Sequence, residues 1–161
     1  MERPQRYYPH GNLAAQVLGI AGIDNQGLEG LEVFYDEYLR GEQGRVVMER
    51  DATGREIPAG VRRFIPPEDG ANLVLTLDHV MQYAAERELT RAVKETGSEQ
   101  GVFMAMDPKN GDILALAIYP SYDPNEYQLS PAKNRRNIAI ADIYEPGSTF
   151  KIVTASAALD A

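Results

Sequence analysis

The sequence has no cysteine and no tryptophan, and only two histidines among 161 residues. Without cysteine there is no disulfide, no CxxC redox pair, no zinc ribbon and no iron–sulfur cluster. The redox compartment stays open, because a chain without thiols is at home in any of them. His10 and His79 stand alone, without partners at metal-ligand or triad spacing. Cations are in deficit: 16 Lys and Arg face 24 Asp and Glu, a net charge of −8. That balance argues against nucleic acid as a partner, since such a surface needs clustered cations. No long apolar run reads as a bilayer-spanning helix, and the N-terminal stretch, with Arg3, Arg6 and Tyr7-Tyr8-Pro9, lacks the apolar centre of a signal peptide. The glycines at 19, 22, 27 and 30 have neither a GxGxxG context nor a Walker lysine, which argues against a nucleotide site.

What is present is an ordinary folded composition, 43% apolar and 25% charged, long enough for one domain or two small pieces. The chain divides near Pro66-Pro67. In the first part, Asn12 is placed to cap a short helix over residues 13–18, closed by Gly19. A glycine-rich loop follows over 22–30. Leu28, Leu31, Phe34, Tyr35, Tyr38 and Leu39 then recur at spacings of three and four, predicting one apolar helix face that ends at Gly41. Two β-like runs, 45–50 and 55–65, are joined by a turn at Asp51-Ala52-Thr53-Gly54.

The second part is more regular. Residues 72–76 read as a short strand. Thr76 or Asp78 caps a helix whose apolar stripe includes Val80, Met81, Ala84, Ala85, Leu89 and Val93, and Gly97 stops it. Residues 102–106 and 113–118 are apolar enough for central strands, with Asn110-Gly111 as a hairpin signal between them. Residues 119–131 read as loop. The expected class is α+β, an antiparallel sheet packed on helices.

Ser148 and Lys151 carry the chemistry. Three residues apart on a helix, they share a face. A Lys stripped of water loses its proton readily and takes that of a neighbouring hydroxyl. The apolar run behind them, 152–159, predicts a buried helix around that lysine. Gly147 lets backbone approach, and the helix N-terminus offers N–H groups to a developing oxyanion. Spacing alone is weak, since 5 Ser and 4 Lys give about 0.1 such pairs by chance. A second pair, Ser130 and Lys133, lies in a polar loop with nothing to bury the lysine. Asp107, Asp112 and Asp123 sit at turns, where Asp is at home.

The residues around this pair resemble the nucleophile segment of class B penicillin-binding proteins: Tyr144-Glu145-Pro146-Gly147-Ser148-Thr149-Phe150-Lys151 contains the S-x-x-K signature of that group. The resemblance runs the length of the chain. Arg6-Tyr7-Tyr8-Pro9, Gly27-Leu28-Glu29-Gly30-Leu31-Glu32 and Asp51-Ala52-Thr53-Gly54-Arg55 are similar to the non-catalytic pedestal. Leu75-Thr76-Leu77-Asp78, Asp107-Pro108-Lys109-Asn110-Gly111-Asp112 and Asp123-Pro124-Asn125 are similar to the start of the transpeptidase domain. The wording near Ser148 is more like the division or sporulation type than the elongation type.

The resemblance implies a small dimerisation-type pedestal over 1–66 and the N-terminal part of a serine β-lactamase-like transpeptidase domain over 67–161. It implies attack by Ser148 on the D-Ala–D-Ala amide of a peptidoglycan stem peptide, with Lys151 as general base and proton shuttle. β-Lactams would acylate the same serine, and no cofactor or metal is implied. Cell-division or elongation membrane proteins are the implied partners, at the extracytoplasmic face of a bacterial membrane, held there by an anchor outside this sequence. The later S-x-N and K-[ST]-G motifs do not occur after Ser148, so the expectation is an internal piece, inactive and aggregation-prone by itself. Two alternatives stay open: a docking module of the cell-wall machinery in which Ser148 is idle, and a β-lactam sensor or β-lactamase relative.

Overall fold

A computed structural model describes residues 6–49, 52, 53, 55 and 62–160. Tight turns occupy residues 9–14, and Ala14, left-handed at φ 53°, ends them. Helix α1 is therefore the single turn Ala15–Leu18. Asn12 does not cap it: Ala14 is the N-cap residue, and its N–H is donated to Glu86 Oε1 at 2.7 Å. Where the sequence suggested a loop, β1 (Ile20–Ala21) and β2 (Gly27–Glu29) pair antiparallel. Gly19 and Gly30 make that pairing possible. A Cβ on Gly19 would stand 1.8 Å from the Glu29 carbonyl oxygen, and one on Gly30 would stand 2.6 Å from Gly19 Cα. Two backbones touch there, and neither position has room for a side chain.

The single helix expected over 28–39 is two short ones, α2 (Gly30–Phe34) and α3 (Asp36–Leu39), broken at Tyr35 (φ −106°, ψ 18°). Asp36 Oδ1 accepts the Gly27 N–H at 2.7 Å, a local bond that competes with helix continuation. The apolar stripe is split as a result, and Phe34 and Tyr38 are exposed. Strands β3 (Arg45–Met48) and β4 (Arg62–Ile65) pair antiparallel, with Val46 opposite Phe64. The turn positions Asp51 and Gly54, and residues 56–61 of the expected second run, lie outside the described residues.

No strand forms over 72–76. Thr76 Oγ1 donates to the Ile113 carbonyl at 2.8 Å, and the Asp78 N–H donates to Leu114 O at 2.9 Å. Asp78 then caps α4 (His79–Thr96) by accepting the N–H groups of Val80 and Met81, and Gly97 stops the helix at φ 69°. Strands β5 (Gly101–Met106) and β6 (Ile113–Tyr119) follow as an antiparallel pair. Their link is a longer loop than a two-residue turn, closed by Asp107 N–H to Asp112 O and Gly111 N–H to Asp107 O. Ala115 and Ala117 of β6 pack on Ala85 of α4, small side chains that bring helix and strand close together. β6 is buried along its middle, but β5 is not the central strand expected: Phe103 is 45% and Met106 53% exposed.

After β6 comes a cis Tyr119–Pro120 bond, then the 3-10 segment Pro124–Leu129 capped by Asp123. Helices α5 (Ala132–Arg135) and α6 (Ile138–Ala141) follow, then the 3-10 turn Gly147–Phe150 and α7 (Lys151–Asp160). The excursion 120–134, with Arg135 after it, folds back onto the N-terminal residues. Tyr122 is buried against Ala15 and Ile20, with its hydroxyl on Ala15 O at 3.1 Å. Tyr8 and Asn125 exchange two bonds, at 3.0 and 2.9 Å. Arg135 meets Glu29 at 3.0 Å. Among the described residues the result is α+β, with small antiparallel sheets and two small buried clusters.

The seam has a pH signature. Burial, and then the charge of Glu32, pushes the Tyr8 hydroxyl from 10.0 up to about 12. Burial, and then the charge of Glu29, pushes Tyr122 further in the same direction. A raised tyrosine pKa means the fold prefers the neutral hydroxyl. Its contribution is complete below pH 10 and is lost as the pH climbs from there toward 12. Alkaline titration followed by tyrosinate absorbance and circular dichroism is expected to show two late tyrosines whose ionisation coincides with loss of structure. In Tyr8→Phe that alkaline loss is shallower. Early ionisation of all nine tyrosines without loss of structure would contradict the seam as described.

Candidate active site

The pair singled out in the sequence sits where the coil of residues 142–146 turns into helix. Gly147 adopts φ 54°, a left-handed step that a Cβ strains, although open space surrounds it. Thr149 ties the turn by donating its N–H and its hydroxyl to Pro146 O. Ser148 lies inside the 3-10 turn, and Lys151 begins α7, its backbone N–H donated to the Ser148 carbonyl. Both positions are thus on one continuous helical path, Ser148 one turn ahead of Lys151.

The expected burial of the lysine is not found. Lys151 is exposed, and so is every described residue of α7, with Ile152 at 71% and Leu159 at 90%. Among the described residues nothing packs over this helix, so its apolar run remains in water. No hydrogen bond joins the Ser148 and Lys151 side chains there either. Upstream, Ile143 and Tyr144 are also fully or largely exposed. A serine one helical turn ahead of a lysine is a spacing that serine acylation can use, but among the described residues there are no walls to strip water from the amine.

The other candidates fall into structural roles. Asp107 and Asp123 accept backbone N–H groups in their own turns, and Asp112 bonds Asn110. The Ser130 carbonyl accepts Arg135 Nη1 at 3.1 Å in the excursion. Among the described residues, no three His, Asp or Glu side chains gather as a metal would need. A cleft of about 530 Å³ opens at the seam between Arg6, Tyr8, Ile23, Asn125 and Tyr127, and the Ser148 turn does not line it.

Two buried amides were not anticipated as such. Gln82 is 1% and Gln16 5% exposed. The Gln82 side chain accepts the Leu116 N–H at 2.8 Å, and donates to Leu116 O at 2.9 Å and to Glu86 Oε1 at 2.7 Å. Its signal was position: residue 82 lies on the same helix face as Ala85, Leu89 and Val93, where a polar residue needs a partner.

Two family models match the chain: the penicillin-binding protein dimerisation domain over residues 1–75, and the penicillin binding protein transpeptidase domain over 101–161. Stage V sporulation protein D of Bacillus subtilis is 46% identical over 156 residues, which is 96% of this chain and 24% of that protein. The peptidoglycan D,D-transpeptidase FtsI of Escherichia coli K12 is 37% identical over 98% of this chain and 26% of that protein. Among solved structures, penicillin-binding protein 3 of Mycobacterium tuberculosis in complex with aztreonam superposes with a TM-score of 0.75 at 30% identity, over 95% of this chain and 31% of that one. The chain spans about a quarter of the length of the curated relatives it matches.

Proposed function

The chain belongs to the class B penicillin-binding proteins, and from that membership we propose that it carries the nucleophile of a peptidoglycan D,D-transpeptidase of the division or sporulation type. In this reading residues 1–66 are pedestal and 67–161 open the catalytic domain. The observation that carries it is Ser148 one helical turn ahead of Lys151, in a helix start within the matched transpeptidase segment.

The chemistry would run as follows. The Lys151 amine takes the proton of the Ser148 hydroxyl as Oγ attacks the carbonyl carbon of the penultimate D-Ala in a stem peptide. The tetrahedral oxyanion collapses, the amide C–N bond breaks, and Lys151 returns the proton to the departing D-Ala nitrogen. An amine from a second strand then attacks the acyl-Ser148 ester, releasing the hydroxyl and closing the cross-link. A β-lactam would follow the first half and stop, because its ring-opened leaving group stays attached. In this reading the site works outside the cell membrane, among the proteins that build the wall.

The test is to treat the protein, as its gene encodes it, with a fluorescent penicillin and locate the adduct by peptide mass. One label on Ser148, absent from Ser148→Ala, is expected. Label that persists in Ser148→Ala, or no label on the wild type, returns the docking-module reading.

A further inference from the structure

Gln16 belongs to α1, far from Ser148 in the chain, yet it holds the route that leads there. Its side chain is 5% exposed, and its Nε2 donates to two carbonyls, Pro120 O and Asn134 O, each at 2.9 Å. Both amide hydrogens are therefore used. Those carbonyls are the two ends of the excursion 120–134, so one buried amide staples the excursion shut at its base. The neighbouring residues continue the fixation. Arg135 is held by Glu29 at 3.0 Å, and Arg136 reaches Ala141 O at 2.9 Å and Asp142 Oδ1 at 2.6 Å. Separate contacts of Gln16, Arg135 and Arg136 thus follow one another along the chain from Pro120 to Asp142, after which exposed coil leads to the turn at Gly147. In that coil, Ile143 is 102% exposed and makes no packing contact that could set the turn's place.

We propose that Gln16 is a positioning residue for Ser148: from the N-terminal part it fixes both ends of the excursion 120–134, and through Arg135 and Arg136 it sets where the nucleophile turn begins. The inference rests on the reading of Ser148 as the acylated residue. Gln16 touches no reacting atom, so its loss changes the placement of the nucleophile and not the chemistry available to it. Small misplacements of a nucleophile carry large rate costs.

The experiment measures acylation by a fluorescent penicillin in the protein as its gene encodes it, separating the rate constant at saturation, the half-saturating concentration and the final labelled fraction. Gln16→Met keeps length and volume and removes both donors. It is expected to lower the saturated rate roughly tenfold while the final label still reaches one per chain and half-saturation moves by no more than about twofold. A merely structural role gives the opposite split: a smaller labelled fraction that reacts at the wild-type rate. That result, or a wild-type rate with full labelling, overturns the inference. Where Gln16→Met does not fold, Glu29→Gln weakens the same fixation at a partly exposed position and carries the same expectation of slow rate and full amplitude. Ser148→Ala separates the two levels of the argument: label that survives it removes the nucleophile reading and this inference together, whereas label lost in Ser148→Ala with an unchanged rate in Gln16→Met removes this inference alone.

Discussion

Exchanging Lys151 for alanine is expected to lower the rate of Ser148 acylation on the order of a thousandfold while changing noncovalent affinity for the acyl donor only a few-fold. A serine hydroxyl is a poor nucleophile until a base takes its proton, and on the helical path from Gly147 the lysine follows Ser148 by one turn. Lys151→Arg makes the expectation specific. Arginine keeps the positive charge and much of the length, but does not give up a proton in a protein. If Lys151 serves as base, arginine is as slow as alanine. If it only stabilises developing negative charge, arginine retains most of the rate, and that outcome would sink the base assignment. The exposure of Lys151 adds a second expectation. A lysine becomes a base once its ammonium is stripped of water, and no described residue covers this one. With Lys151 uncovered, acylation of Ser148 in these 161 residues is therefore expected to be slow.

Local signals in the sequence were reliable where one short stretch decided the outcome. Asp78 and Gly97 bound α4 because a carboxylate capping two N–H groups and a left-handed glycine are local devices. The β5–β6 pairing was legible for the same reason: two apolar runs around an Asn-Gly. Misreadings came where a hydrogen bond that the apolar pattern does not show decided. The helix expected from residue 13 begins only at Ala15, because Ala14 is left-handed at φ 53° with its N–H held by Glu86, many residues away. Residues 72–76 form no strand; what reaches β6 there is the Thr76 hydroxyl, on Ile113 O, and then the Asp78 N–H, on Leu114 O. The helix over 28–39 breaks where Asp36 finds the Gly27 N–H. The acylation pair was visible in eight residues of text, whereas its burial was not, since burial depends on what packs over α7 and periodicity does not say what that is.

The same asymmetry explains how a chain with such small cores holds its two parts together. Alanines dominate the contact between α4 and β6, and burying alanine contributes little apolar area. Specificity must come from elsewhere, and the buried amides supply it. Gln82 replaces a missing strand by satisfying the N–H and C=O of Leu116, and Gln16 does the corresponding work for Pro120 and Asn134. Glu86 links the systems, since its Oε1 accepts from both Gln82 and the Ala14 N–H. Polar groups that are all satisfied at once leave one register acceptable, and a slip by one residue would orphan several of them together.

Gln82 is accordingly the position where the smallest change should cost the most stability. Gln82→Met conserves volume but leaves the Leu116 N–H and C=O unpaired in a site 1% exposed, and an expected loss of about 2–4 kcal/mol follows from two orphaned backbone groups. Gln82→Glu tests the hydrogen-bond account against simple packing. Glutamate keeps the shape and still accepts from Leu116, but its second oxygen faces Leu116 O and the Glu86 carboxylate, where the amide donated. Burial and that neighbouring charge both raise the new carboxyl's folded pKa above its unfolded value. A raised pKa contributes its stability below the unfolded value, near 4.3, and loses it as the pH climbs through the folded one. In denaturant titrations the deficit of Gln82→Glu relative to the wild type should therefore be largest at neutral pH and shrink on acidification, while that of Gln82→Met stays constant. A pH-independent deficit in Gln82→Glu, or a loss under about 0.5 kcal/mol in Gln82→Met, would mean that Leu116 finds other partners and that α4 is held to β6 by packing alone.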